Sequence, residues 1–248
     1  MPSVTDETST IEILGVPVAR LDATEALQRI ERLYDRETPA LVAYVNAHTL
    51  NLASRDAGYR AVLNKSDLVL NDGSGVGLAA RIKGSSFPEN LNGSDFNPRI
   101  VELAAAKGWP VFLLGAGAGV AERAGAELTH RYPGLVVAGT REGFFPPEAA
   151  SGVAEAVRAS GAGLVMVAMG NPLQELWLSR YLEASGARLG VGVGAFFDFT
   201  VGVVPRAPAW MNRLGIEWVY RLIQEPARMW RRYLVGNPAF LYRVIRSR

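Results

Sequence analysis

Three features of the chain predict an α/β protein. Apolar runs of strand length alternate with stretches of helical periodicity. Each run is continuous rather than alternating, as in parallel strands buried on both faces. Polar and glycine-rich motifs follow the runs, where open α/β sheets bind ligands. The expected fold class is a Rossmann-like, mostly parallel sheet with helices on both faces. A basic helical appendage follows it at the C-terminal end.

The first elements are a hairpin about Gly15, from 11–14 and 16–21, and a helix over 23–34 capped by Asp22. Residues 41–45 form a strand that stops at Asn46-Ala-His48-Thr49-Leu-Asn51. Helices follow at 50–54 and 59–64. A strand at 68–70 delivers Asn71-Asp72-Gly73-Ser74-Gly75, then a helix of small residues to Ile82. A loop over 84–92 leads to a helix capped within Asn92-Gly93-Ser94-Asp95 and ending at Lys107.

The second half opens with a strand at 110–114, the turn Gly115-Ala-Gly117-Ala-Gly119 and a helix to His130. A strand at 135–138 is expected to end at the loop Gly139-Thr140-Arg141. A helix over 147–160, a strand at 164–168, the motif Gly170-Asn171-Pro172-Leu173-Gln174-Glu175 and a helix over 176–184 come next. The last strand, 189–193, ends at Gly194 and is followed by Phe197-Asp198-Phe199.

Charge divides the chain unevenly. From position 205 onward there are nine arginines, no lysine and two acids, a net of +7, whereas the whole chain carries +2 and the remainder is therefore −5. The expected division is an α/β domain over 1–203 and a helical appendage over 204–248. Arginine interleaved with Trp210, Trp218 and Trp230 suits an anionic membrane surface more than nucleic acid. The first ten residues are polar and acidic and read as a frayed terminus, not a signal peptide. No apolar run reaches the roughly 18 residues of a membrane span.

The absence of cysteine excludes disulfides, thiolate catalysis and Cys-ligated zinc. Two separated histidines, His48 and His130, make a poor metal set, and no Asp-x-Asp pair is present. No cofactor and no metal are expected. Asp72, exposed by glycines after a buried strand, is either a general base or the N-cap of the helix at Ser74. Asp95 reads more readily as a cap. The Gly115 turn resembles a dinucleotide fingerprint, but Val120 stands at its third glycine. No acid follows the strand expected to end at Ala138, which counts against an NAD(P)-dependent oxidoreductase. Pro172 and Glu175 fit an ordinary helix start; Gln174 does not.

Taken together these motifs resemble the WecG/TagA/CpsF family of bacterial glycosyltransferases. Its carriers are Asn46 with His48-Thr49-Leu50-Asn51, Asp72-Gly73-Ser74-Gly75, Gly93-Ser94-Asp95, Leu114-Gly115-Ala116, Gly139-Thr140, Gly170 to Glu175, Arg206-Ala207-Pro208 and Glu217 to Leu222. The resemblance implies inverting, metal-independent transfer from a UDP-sugar donor to a polyprenyl-diphosphate-linked acceptor. It places the enzyme in the cytoplasm, peripheral on the inner face of the cytoplasmic membrane. It implies Asp72 as base, Gln174 in the nucleotide-sugar pocket, and Arg221, Arg228 and Arg231 closing the site over phosphates. The further candidate substrate contacts are Asn46, Thr49, Gly73, Asn90, Asp95, Gly115, Gly117, Thr140, Asn171, Glu175 and Arg206. Asn90 and Leu173 stand where many members carry cations, so the donor sugar stays open. A homo-oligomer is compatible with the sequence. The competing functions are the oxidoreductase and a non-catalytic nucleotide- or nucleic-acid-binding protein.

Overall fold

The computed structural model describes residues 9–205, 207–208, 211 and 217–247, with residues 217 and 228 described by backbone alone. The chain opens with the hairpin β1 (Thr10–Ile13) and β2 (Val16–Ala19). Its two-residue turn holds Leu14 at φ 53° and Gly15 at φ 79°. Positive φ at both positions matches the right-handed twist of the flanking strands. Helix α1 (Ala23–Tyr34) begins with a capping box in which Asp22 and Glu25 satisfy each other's backbone N–H groups.

Six strands then form one sheet: β3 (Ala40–Val45), β4 (Leu68–Asn71), β5 (Pro110–Gly115), β6 (Val136–Arg141), β7 (Leu164–Ala168) and β8 (Leu189–Gly192). Their spatial order is β4-β3-β8-β7-β5-β6, and every pairing is parallel. The four inner strands are apolar on both faces, because a helical layer covers each side. One layer holds α1, α5 (Gly93–Lys107), α6 (Val120–Arg131) and α9 (Phe196–Thr200). The other holds α2 (Ala47–Ala53), α3 (Ala57–Lys65), α4 (Ser74–Ile82), α7 (Ala150–Ser160) and α8 (Leu173–Tyr181). Alternate residues of β3 feed the two cores: Val42 and Tyr44 one, Leu41, Ala43 and Val45 the other.

Strand β6 corrects an expectation. It runs through Arg141, so Thr140 lies within a strand and not in a loop. The register skips Ala138 between the pairs Val111–Val137 and Phe112–Gly139. A Cβ on Gly139 would stand 2.6 Å from the Phe112 ring, so glycine is required for that close approach. Glu142 directly follows the true strand end. The absence of an acid there is thus no argument against a dinucleotide.

The tail continues as α10 (Glu217–Gln224), α11 (Pro226–Trp230), a π-helical turn over Arg231–Val235, and α12 (Gly236–Arg246). Pro226 opens α11, as its fixed φ favours. The expected boundary at 204 does not set the whole tail apart. Phe240 and Val244, fully buried one helical turn apart on α12, join the same core as α2, α4 and the β1–β2 hairpin. Asn51 of α2 also donates to the Gly236 carbonyl at 2.8 Å. Among the described residues between Val204 and α12, none belongs to that core. Among the described residues no helix is long and apolar enough to cross a membrane.

Candidate active site

Because all six strands are parallel, the loops after them share one edge. In spatial order this edge carries Asp72 after β4, Asn46 after β3, Gly194 beyond β8, the Gly170 motif after β7, the Gly115 turn after β5 and Glu142 after β6. Adjacent strands stand about 4.8 Å apart. The ends of β4 and β5 are therefore about 19 Å apart, and the row between them is continuous.

One end of the row is a polar corner. Asn46 is the N-cap of α2, and its Oδ1 accepts from the backbone N–H groups of His48 and Thr49 and from the Thr49 hydroxyl. These three donors fix the amide, so Nδ2 is aimed at Asp72 Oδ2, 2.9 Å away. Asp72 is not the N-cap of α4. That place belongs to Gly73, at φ 88° and without a side-chain capping bond. The Gly73 N–H donates instead to Asn90 Oδ1 at 2.9 Å. Asn71 latches the same loop by donating to the Glu89 carbonyl and accepting from the Leu91 N–H. Asp72 is half-buried, and among the described residues its Oδ1 has no hydrogen bond. The carboxylate is held by one oxygen and offers the other.

His48 beside this corner is held down to about 4 by burial and then by the charge of Arg232. It is a neutral imidazole at neutral pH. Asp95 is drawn into the cap of α5: Asn92 is the N-cap, and its Nδ2 donates to Asp95 Oδ2 at 2.8 Å.

The middle of the row is a closed cluster. Gln174 and Glu175 are 2% and 0% exposed, so Glu175 is not a solvated first-turn acid. Gln174 Oε1 accepts from the Gly170 and Gly194 N–H groups, each at 3.1 Å, tying the loop after β7 to the loop after β8. Its Nε2 donates to Glu175 Oε1 at 2.7 Å, as does Asn171 Nδ2. Tyr59 of α3 donates to Glu175 Oε2 at 3.0 Å. Burial raises the Glu175 carboxyl to about 7, and the donors from Gln174, Tyr59 and Asn171 oppose it. Tyr59 and Asn71 were not among the candidate residues. A buried polar residue closing an apolar strand was the available sign for Asn71. Tyr59 gave none, since its partner lies 116 residues away.

The other end of the row is backbone. Gly115 has φ 135°, and a Cβ there would stand 2.5 Å from the Ala168 carbonyl. Close packing of β5 on β7 demands this glycine. Ala116 holds φ 58° because its N–H donates to Ala168 and its carbonyl accepts from Gly143. Gly117 is open, and α6 begins after Gly119 with no side chain capping its leading N–H groups. Thr140 instead packs towards Gly125 of α6.

Of the tail arginines, Arg221 reaches α9, with its guanidinium 5.4 Å from the Phe199 ring centroid. Its Nε is buried and, among the described residues, has no hydrogen-bond partner. Arg231 is exposed and stacks on Trp230. Arg206 and the Arg228 side chain lie outside the described residues. Leu173 is exposed at the first position of α8. Among the described residues no three His, Asp or Glu side chains converge to hold a metal.

A parallel sheet with a half-buried carboxylate and helix starts without side-chain caps along its carboxyl edge defines an open α/β protein whose ligand edge suits an anion. The comparisons narrow that class. The chain matches the glycosyl transferase WecG/TagA/CpsF family over residues 11–248, and it belongs to that family. It is 31% identical over 229 residues to the N-acetylglucosaminyldiphosphoundecaprenol N-acetyl-beta-D-mannosaminyltransferase of Bacillus subtilis (strain 168), covering 92% of this chain and 88% of that one. The protein of the same name from Bacillus spizizenii (strain ATCC 23059 / NRRL B-14472 / W23) is 31% identical over 224 residues, covering 88% and 86%. The chain is thus a glycosyltransferase, and the oxidoreductase and non-catalytic readings fall.

Proposed function

We propose that the chain transfers a sugar from a UDP-sugar to a prenyl-diphosphate-linked N-acetylglucosamine, with Asp72 as general base. The observation that carries this reading is the Asp72 carboxylate, with Oδ2 held by Asn46 and Oδ1 unoccupied by any described group. In the proposed step Asp72 Oδ1 takes the proton of the acceptor hydroxyl. The hydroxyl oxygen bonds to the anomeric carbon as the bond from that carbon to UDP breaks. A single displacement inverts the anomeric centre and needs no second carboxylate. The acceptor in the names of the two Bacillus relatives supports this choice.

The donor diphosphate lies over the row from Gly194 to the Gly115 turn, where free N–H groups at the start of α6 favour an anion. The unpartnered Arg221 Nε beside α9 supports a role in neutralising departing UDP. The reaction in this reading requires no metal. Trp230, Leu234 and Val235 are exposed beside Arg231, a mixture suited to the anionic inner face of the cytoplasmic membrane, where a lipid-borne acceptor resides.

The test is transfer by the full chain to a short-chain prenyl-diphosphate N-acetylglucosamine. UDP-N-acetylmannosamine, UDP-N-acetylglucosamine and UDP-glucose are offered in turn, with and without EDTA. One donor should give a disaccharide-lipid and stoichiometric UDP, unchanged by EDTA. No transfer from any donor would contradict the acceptor or donor class. Transfer abolished by EDTA would contradict metal independence.

A further inference from the structure

A second basic concavity lies away from the carboxyl edge. An open cavity of about 420 Å³ is lined by Ser54 at the end of α2, Arg60 of α3, and Tyr242, Arg243, Arg246 and Ser247 at the end of α12. Ser54 stands eight residues down α2 from Asn46, about 12 Å along the helix axis. Lys83, just past α4, donates to the Ser247 carbonyl, so α12 ends where α4 ends, towards the amino edge of the sheet.

Among the described residues the three arginines meet without an acid. No carboxylate lines the cavity, and among the described residues none of the three forms an ion pair. Two of the guanidinium groups are already braced. Arg243 donates to Asn51 Oδ1, and Asn51 is itself fixed by the Gly236 carbonyl. Arg246 donates to the Tyr242 hydroxyl at 3.0 Å.

Helix electrostatics accounts for only part of this. Arg243 and Arg246 suit the last turn of α12, but Arg60 sits in the first half of α3, where a cation gains nothing. The ends of α2 and α12 each contribute roughly half a negative charge. Three guanidinium groups outweigh them, and the cavity keeps a charge of about +2. Its volume falls within the range of about 300–1,000 Å³ usual for small-ligand sites.

We infer that this cavity binds a phosphate group, held by Arg60, Arg243 and Arg246 with the Ser54 and Ser247 hydroxyls at its rim. Planar guanidinium forks match phosphate oxygens in pairs. The phosphate comes either from a lipid headgroup or from a free phosphate compound. Tyr242 and Ile245, both exposed beside the cavity, offer apolar surface to the first of these. The site is independent of the reading of Asp72, since none of its residues belongs to the row at the carboxyl edge.

The experiment uses the full chain and the double variant Arg60→Gln/Arg246→Gln, whose side chains leave both cores untouched. Calorimetry with inorganic pyrophosphate is one arm. Flotation with phosphatidylcholine vesicles, with and without phosphatidic acid, is the other. The melting temperature of the variant is checked against wild type. The wild-type chain should bind at least one phosphate probe, and the variant should bind it about tenfold more weakly or worse. Loss in both arms marks a site that reads the phosphate alone, and loss only on vesicles marks a lipid headgroup. Equal binding by a folded variant in both arms, or no binding of either probe by wild type, would overturn the inference. UDP binding and sugar transfer are measured separately, so failure there leaves this result interpretable.

Discussion

The corner at Asp72 and the cluster at Glu175 use the same materials: a carboxylate and amide neighbours near the end of a strand. They differ in access and in how many oxygens are occupied. Asp72 is half-buried and leaves Oδ1 open; Glu175 has no exposed surface and accepts at both oxygens. The difference separates a carboxylate with a free oxygen from one that ties α3 to the loop after β7. Gln174, spanning Gly170 and Gly194, is the mechanical link between the two roles. It closes the middle of the row by joining the loops after β7 and β8.

The largest effect is expected from emptying the closed cluster. Glu175→Leu leaves the Tyr59 hydroxyl and the Asn171 and Gln174 amides without their acceptor in a dry core. Unsatisfied buried groups cost about 1–3 kcal/mol each, so a loss of about 3–5 kcal/mol is expected in denaturant unfolding. A loss within 0.5 kcal/mol, the usual range for surface changes, would break the distinction between the two clusters.

A milder change tests the charge alone. Burial raises the folded Glu175 carboxyl from 4.5 to about 7. The unfolded chain gives up that proton near pH 4.5, whereas the folded chain keeps it until about pH 7. This group's contribution is therefore greatest below pH 4.5 and falls by about 3 kcal/mol as pH rises through that window. Glu175→Gln should keep the fold, with the Tyr59 hydroxyl turning to accept, and should flatten the pH dependence of stability between about pH 4.5 and pH 7. An unchanged slope would contradict a buried titrating carboxyl.

The smallest effect concerns the open corner. Asn46→Asp preserves the cap of α2, because aspartate caps as well as asparagine. It also puts a carboxylate where an amide now donates to Asp72, and two like charges at that distance repel. The acidic limb of kcat/KM should move to higher pH with little change in melting temperature. If Asn46 serves only as a cap, the profile will not move.

Much of the fold was legible because parallel strands advertise themselves as continuous apolar runs. The Asp22 cap, the hairpin at Gly15 and the row of strand-end motifs follow from that pattern. Strand β6 was cut short because an edge strand need not be apolar: its residues are exposed or half-buried, and Gly139-Thr140 reads as a turn. The role of Asp72 was ambiguous between cap and base, and the Gly73 cap removes the first of these. Glu175 fitted a helix start so well that its burial was hidden, since the burial depends on α3. In the tail, arginine dominated the reading. Phe240 and Val244 carried the helical i, i+4 signal of a core face, and that signal places α12 in the body.

The central claim is that Asp72 reacts while its surroundings hold it in place. Its most direct test is the turnover of Asp72→Asn with saturating UDP-sugar and prenyl-diphosphate acceptor, read beside its melting temperature and its affinity for UDP. Asparagine keeps the shape and the hydrogen bond to Asn46 but cannot take a proton. The account predicts turnover lower by about 10²–10⁴, the usual contribution of a general base, with stability and UDP affinity unchanged. Wild-type turnover in a folded, UDP-binding Asp72→Asn chain would contradict it.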